Sequence, residues 1–198
     1  LLTTDRDAYG IYVQSPFPKE NRRILIGSDV SSRYTRRNRA EYRKIAGYIA
    51  RCVWQRQGNY MVFFPSYRLM EDVLQVYEEE FSVDWVRCVC QTPDMTEQER
   101  EGFLEEFQER EGTLVGFCVL GGIFSEGVDL TGESLIGAVI VGTGLPQIGS
   151  QREILKEYYD KKNHCGFDYA YRYPGMNKVL QAAGRVIRTK EDKGVILL

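Results

Sequence analysis

The chain has 198 residues, 43% hydrophobic and 27% charged, with a formal net charge of −2; this is the balance of a soluble globular protein long enough for one α/β domain. No run approaches the ~20 apolar residues of a membrane span, and the opening LLTTDRDAYG has neither the signal-peptide nor the transit-peptide pattern. The five cysteines (Cys52, Cys88, Cys90, Cys118, Cys165) form no C-x-x-C pair, and His164 stands alone, so neither a disulfide framework nor a metal site is expected.

In chain order, short apolar runs alternate with helical patterns. RRILIGSDV (22–30) predicts a strand, 38–57 a helix, MVFF (61–64) a strand and 66–81 a helix. VRCVC (86–90) and LVGFCVL (114–120) predict strands on either side of a helix over 96–110. LIGAVIVG (135–142) is another strand, followed by helices over 149–161 and 175–188 and the strand GVILL. The runs show no polar alternation, which is what burial on both faces produces. Strands alternating with helices predict an α/β domain over 1–198, with a mainly parallel central sheet flanked by helices. Tyr169 to Pro174 is the weakest stretch of the pattern.

Charge is unevenly placed. From Arg33 to Arg56 eight basic residues face one acid, Glu41, whereas from Asp94 to Glu111 eight acids face Arg100 and Arg110. The basic segment reads either as a phosphate-contacting surface or as a solvated helix face.

In a parallel sheet, ligands gather where the strands end. After MVFF stand Pro65, Ser66 and Tyr67, a helix start that can bind phosphate or simply cap the helix. After LVGFCVL comes GGIFSEGVD (121–129), glycine-rich with two carboxylates, and after LIGAVIVG comes the tight exit Gly144-Leu145-Pro146. On a helix over 175–188, Val179, Leu180, Ala183, Val186 and Ile187 share one face, and Gln181, Gly184, Arg185 and Arg188 share the opposite one. Two guanidinium forks beside an amide suit a polyphosphate; a solvated helix with incidental arginines is the plain alternative.

The string QAAGRVIRTKEDKGVILL (181–198) resembles motif VI of superfamily 2 helicases, and within them the XPD/DinG branch. FSEGVDL (124–130) resembles that branch's motif V, VFFPSYRLMEDV (62–73) its motif IV, and SSRYTRRN (31–38) the opening of its second motor domain. The four stretches occur in family order. The resemblance implies a single RecA-like domain, the C-terminal motor domain of an ATP-dependent DNA helicase and a piece of a longer chain. It implies Arg185 and Arg188 as catalytic arginine fingers, with Gln181, Gly127 and Asp129 near ATP. It implies Ser66, Tyr67, Ser125, Glu126, Arg33 and Arg37 on single-stranded DNA.

Neither a G-x-x-x-x-G-K-[ST] loop nor a DEAH-like box is present, so ATP and Mg2+ are expected mainly on a first motor domain outside this chain. Any iron–sulfur cluster of the family would also lie there, not among these cysteines. The isolated chain is accordingly expected to be inactive. The partners implied are single-stranded DNA and the first motor domain, with no membrane, in a bacterial, nucleoid-associated cytoplasmic protein. A reading from another class is a stand-alone RecA-like module that binds nucleic acid or protein without catalysis; a phosphate-binding loop encoded upstream separates the two.

Overall fold

The computed structural model describes residues 13–108, 111–125, 130 and 134–198. Its frame is a six-stranded, all-parallel sheet: β1 (Arg22–Leu25), β2 (Asn59–Phe64), β3 (Val86–Cys90), β4 (Thr113–Val119), β5 (Gly137–Ile140) and β6 (Gly194–Leu197). Across the sheet the order is β1-β6-β5-β2-β4-β3. The three strands β2, β4 and β5 are buried along their whole length. Their side chains alternate between two cores, as strand geometry requires. Tyr60, Val62 and Phe64 point to one, and Met61 and Phe63 to the other.

The first core is roofed by α1 (Arg39–Val53) and α2 (Tyr67–Glu80). Ile45, Ile49 and Val53 recur at four-residue spacing and are buried, and Asn38 caps α1 by accepting the Glu41 amide at 3.0 Å. The second core lies under α3 (Glu97–Glu105), where Thr96 and Glu99 form a reciprocal capping box, and under α5 (Tyr173–Ala183). Between them in the chain, α4 (Ser150–Asn163) buries none of its residues.

Three expectations need correction. The edge strands are not buried on both faces: every residue of β1 is exposed, and β3 is mostly half-buried. The helix expected over 175–188 begins earlier, because Asp168–Arg172 forms a π-helix running directly into α5 through the weak stretch from Tyr169 to Pro174. Pro174 has no N–H to return to the carbonyl of Ala170, and the Arg152 guanidinium donates to that carbonyl instead, at 3.4 Å.

The third correction concerns the arginine cluster. Helix α5 stops at Ala183, with Gly184 as its C-cap, and residues 184–186 form a turn. Gln181, Gly184, Arg185 and Arg188 therefore do not share one helical face. Leu180 is 62% exposed, while Ala182 is fully buried in the place expected for it. The apolar pattern continues through Val186 and Ile187, which are buried, but they reach the core from the turn rather than from a helix.

Candidate functional site

All six strands run the same way, so their carboxyl ends deliver Arg33, Ser66, Gln91, Gly121 and Gly142 to one rim of the sheet. Ser66 caps α2, its hydroxyl accepting the Leu69 amide at 3.4 Å. Beside it the Tyr67 hydroxyl accepts a hydrogen bond from Gln91 Nε2 at 3.0 Å. Burial pushes the Tyr67 phenol up from its ordinary value, so it stays protonated at neutral pH. Gln91 is only 4% exposed, and its Oε1 accepts the Val119 amide at 3.0 Å.

Beyond Val119 the chain folds into a tight turn. Ser125 is fully buried, and both its amide (3.0 Å) and its hydroxyl (2.8 Å) donate to the Gly122 carbonyl. The Ser125 carbonyl in turn accepts two bonds from Arg185, Nε at 3.1 Å and Nη2 at 3.0 Å. Arg185 is thus half-buried and holds the 121–125 turn through its planar fork, instead of standing out from a helix. Glu126, Gly127 and Asp129 lie outside the described residues.

Arg188 follows the turn after α5 in a stretch without regular secondary structure. One oxygen of Asp192 accepts its amide at 2.8 Å and the Thr189 amide at 2.7 Å. Burial pushes the Asp192 carboxyl up, but the Thr189 and Arg188 amides, the Thr189 hydroxyl and the Arg188 charge outweigh it and leave it below the ordinary value. Asp192→Ala is expected to cost about 1–3 kcal/mol of stability, since it strands two amides. A lowered folded pKa contributes stability above the unfolded value of about 4, and that contribution disappears as pH falls through the folded value. Urea titrations of both forms at descending pH should show their difference shrinking in that window.

Arg33 and Arg37 line a cleft of about 700 Å³ with Pro65 and the 142–145 loop. The Arg37 Nε donates to the Ser32 carbonyl at 3.3 Å, and Arg33 is exposed. Arg188 lines a different hollow of about 690 Å³, between α5 and β1. Arg188, expected on the nucleotide, and Arg33 and Arg37, expected on nucleic acid, therefore line two hollows that meet at Leu198. Gln181 is exposed on the last turn of α5.

Part of the long basic segment is held in ion pairs. Arg39 meets Glu79 at 2.7 Å and Glu80 at 3.4 Å, Arg43 meets Glu80, and Arg36 meets the buried Glu41 at 3.1 Å. Glu41 also accepts the Ser31 amide, which ties the 31–37 loop to α1.

Burial pushes Cys52, Cys88 and Cys90 up to about 11 and Cys118 well above the usual thiol value, so these thiols stay protonated and un-nucleophilic. Among the described residues no group of three or more His, Cys, Asp and Glu side chains could hold a metal ion. None of their helices is long and apolar enough to cross a membrane.

Three residues escaped the sequence reading: Gln91, Glu41 and Asp192. For Gln91 a signal existed, a polar residue directly after an apolar strand in a parallel sheet. The other two look like ordinary surface acids until their loops are seen.

A scan against protein-family models matches residues 49–198 to the helicase C-terminal domain. Among curated proteins, a probable ATP-dependent helicase of Methanocaldococcus jannaschii is 28% identical over 95% of this chain and 30% of its own length. The ATP-dependent DNA helicase XPD of Sulfolobus acidocaldarius is 29% identical over 85% of this chain and 29% of its own. A solved XPD helicase superposes with a TM-score of 0.71 at 25% identity, covering 89% of this chain and 31% of that one. The chain spans about 30% of the length of these relatives. The α/β sheet has the RecA-like fold that XPD and related helicase domains share. With three-quarters of its length inside the family model, this chain belongs to the helicase C-terminal domain family.

Proposed function

We propose that this chain, residues 1–198, is the second RecA-like motor domain of an ATP-dependent DNA helicase. Its arginines complete an ATP site at the interface with a first motor domain, and its loops supply half of a single-stranded DNA track. The observation that carries the reading is the pair of bonds from Arg185 to the Ser125 carbonyl. They join the QAAGRVIR turn to the glycine-rich loop, so that a change at either reaches the other.

In this reading Arg188 meets the γ-phosphate. Its backbone is fixed by Asp192, so its long side chain starts from a rigid point. Arg185 braces the turn with its fork and adds positive charge beside the nucleotide, with Gln181, Gly127 and Asp129 nearby. Mg2+ would be held mainly by the first motor domain, since the phosphate-binding loop and the DEAH-like box that hold it in the family do not occur in this sequence. Any iron–sulfur cluster belongs to that domain too. Ser66, Tyr67, Arg33 and Arg37 face the DNA strand, and buried Ser125 with Glu126 couples the nucleotide site to it. The compartment implied is a bacterial cytoplasm, at the nucleoid.

Single-stranded DNA binding by this chain at several salt concentrations tests the reading. Each phosphate contact adds a slope of about 0.7 in log affinity against log salt. Arg33→Ala with Arg37→Ala should therefore lower the slope by about 1.4. Arg36 is left in place, because it neutralises buried Glu41. A slope that does not change removes the 31–37 loop from the DNA track.

A further inference from the structure

Between the two halves of the proposed site lies an unbroken series of hydrogen bonds, and one buried residue joins them. On the DNA side is Tyr67, at the start of α2. Its hydroxyl accepts from Gln91 Nε2 at 3.0 Å and lies 3.5 Å from the Thr92 carbonyl. Gln91 continues the line, accepting the Val119 amide through Oε1 while its own amide donates to the Phe117 carbonyl at 2.8 Å. From Val119 the Gly122 amide, then Ser125, then Arg185 follow at 3.3, 3.0 and 3.1 Å.

Every polar group of the Gln91 side chain has a protein partner on a different element: the amide nitrogen on α2, the oxygen at the end of β4. At 4% exposure it has little access to water that could replace either bond. The site is also crowded. A β-carbon on Gly122 would come within 3.2 Å of Gln91 Nε2, so the turn is packed directly against this amide. A purely structural residue at a strand end would cap one element. Gln91 instead fixes the phenol of one functional loop and the starting point of the other.

We propose that Gln91 is the positioning residue that couples the nucleic-acid contact at Tyr67 to the seating of Arg185. Displacement of the Tyr67 ring by a bound strand pulls on Gln91, and Gln91 passes the shift to Val119 and so to the turn on which Arg185 rests. The proposal rests on the helicase reading above, and its test separates the two. It requires that Gln91 and Tyr67 act as one unit, which is a statement about coupling energy and not about proximity.

The test measures ATP hydrolysis by the full-length protein with and without single-stranded DNA. Gln91→Leu removes both side-chain bonds at similar volume, and Tyr67→Phe removes only the phenol. Each should lower the ratio of DNA-stimulated to unstimulated hydrolysis by about tenfold, and the double variant should be no worse than either alone. Gln91→Glu should rescue most of the ratio, because a carboxylate still accepts the Val119 amide and can accept the Tyr67 O–H in the reverse direction. A preserved ratio in Tyr67→Phe or Gln91→Leu overturns the proposal, as does a double variant whose losses multiply. If Gln91→Leu fails to fold, Tyr67→Phe and Gln91→Glu decide the matter. Arg185→Ala run beside them isolates the underlying reading: normal hydrolysis there removes the nucleotide assignment, whatever the Gln91 variants do.

Discussion

Replacing Arg188 with alanine in the full-length protein is expected to cut DNA-stimulated ATP hydrolysis by about 10³–10⁵, the loss typical of an arginine finger. The argument starts from charge. As the γ-phosphoryl transfers, negative charge spreads over its oxygens, and a guanidinium at that point is worth most in the transition state. Arg188 is suited to this because its main chain is pinned: Asp192 accepts both its amide and that of Thr189. Lysine should rescue poorly, since it keeps the charge but loses the planar fork. Nucleotide-free DNA binding should survive, because Arg188 lines the hollow between α5 and β1 and not the cleft of Arg33 and Arg37. Arg185→Ala should be as severe for a further reason, since it also frees the Ser125 carbonyl. Steady-state hydrolysis beside a circular-dichroism fold check decides the matter. Near-normal turnover in Arg188→Ala removes the finger assignment. The isolated chain should show no turnover at all, having no phosphate-binding loop.

The central strands and their helices were legible because their signals are local. Ser66 as cap and the apolar residues after it predict a helix over 66–81, and α2 spans Tyr67–Glu80. The same logic failed at the end of α5, where Val186 and Ile187 keep a helical period although the helix has ended at Gly184. The reason lies eight residues on. Asp192 draws the Arg188 and Thr189 amides into a loop, and Gly194 lets Val186 pack against the start of β6, where a β-carbon would meet the Ile136 carbonyl at 2.8 Å. Neither the apolar period nor the capping signals report that closure.

Charge was legible only as a density. The basic run on α1 suggested a phosphate surface, but its partners Glu79 and Glu80 arrive from α2, some forty residues away in the chain. Helix pairing, not composition, decides which cations remain for a ligand. What the sequence motifs named as separate points (Tyr67, Ser125, Arg185) the fold joins through Gln91, a residue in no motif.

Gly142→Val should be among the most damaging single changes to the fold, at about 2–5 kcal/mol, from backbone strain of about 1–2 and overpacking of about 1–3. Gly142 ends the β5 exit at φ +81, where a β-branched residue is strained before any contact is counted. A β-carbon there would overlap the Ser32 hydroxyl and lie 2.9 Å from Ser32 Cβ. Ser32 supplies the atoms within 4 Å of that β-carbon, so the 31–37 loop is what must give way. Ser32 is also the residue whose carbonyl holds Arg37, so the loop must shift as a unit. Against a typical total of 5–15 kcal/mol, the loss should appear as a large drop in urea midpoint, with weakened DNA binding in whatever remains folded. Gly102→Ala is the contrasting variant. It lies inside α3 with nothing within 4 Å of a new β-carbon, and alanine there should stabilise by up to about 1 kcal/mol. A loss beyond the about 1–2 kcal/mol of backbone strain identifies Gly142 as a point of enforced close approach between the β5 exit and the arginine loop. A loss within that strain would mean that the 31–37 loop yields freely, and would undo its assignment as a preset nucleic-acid contact.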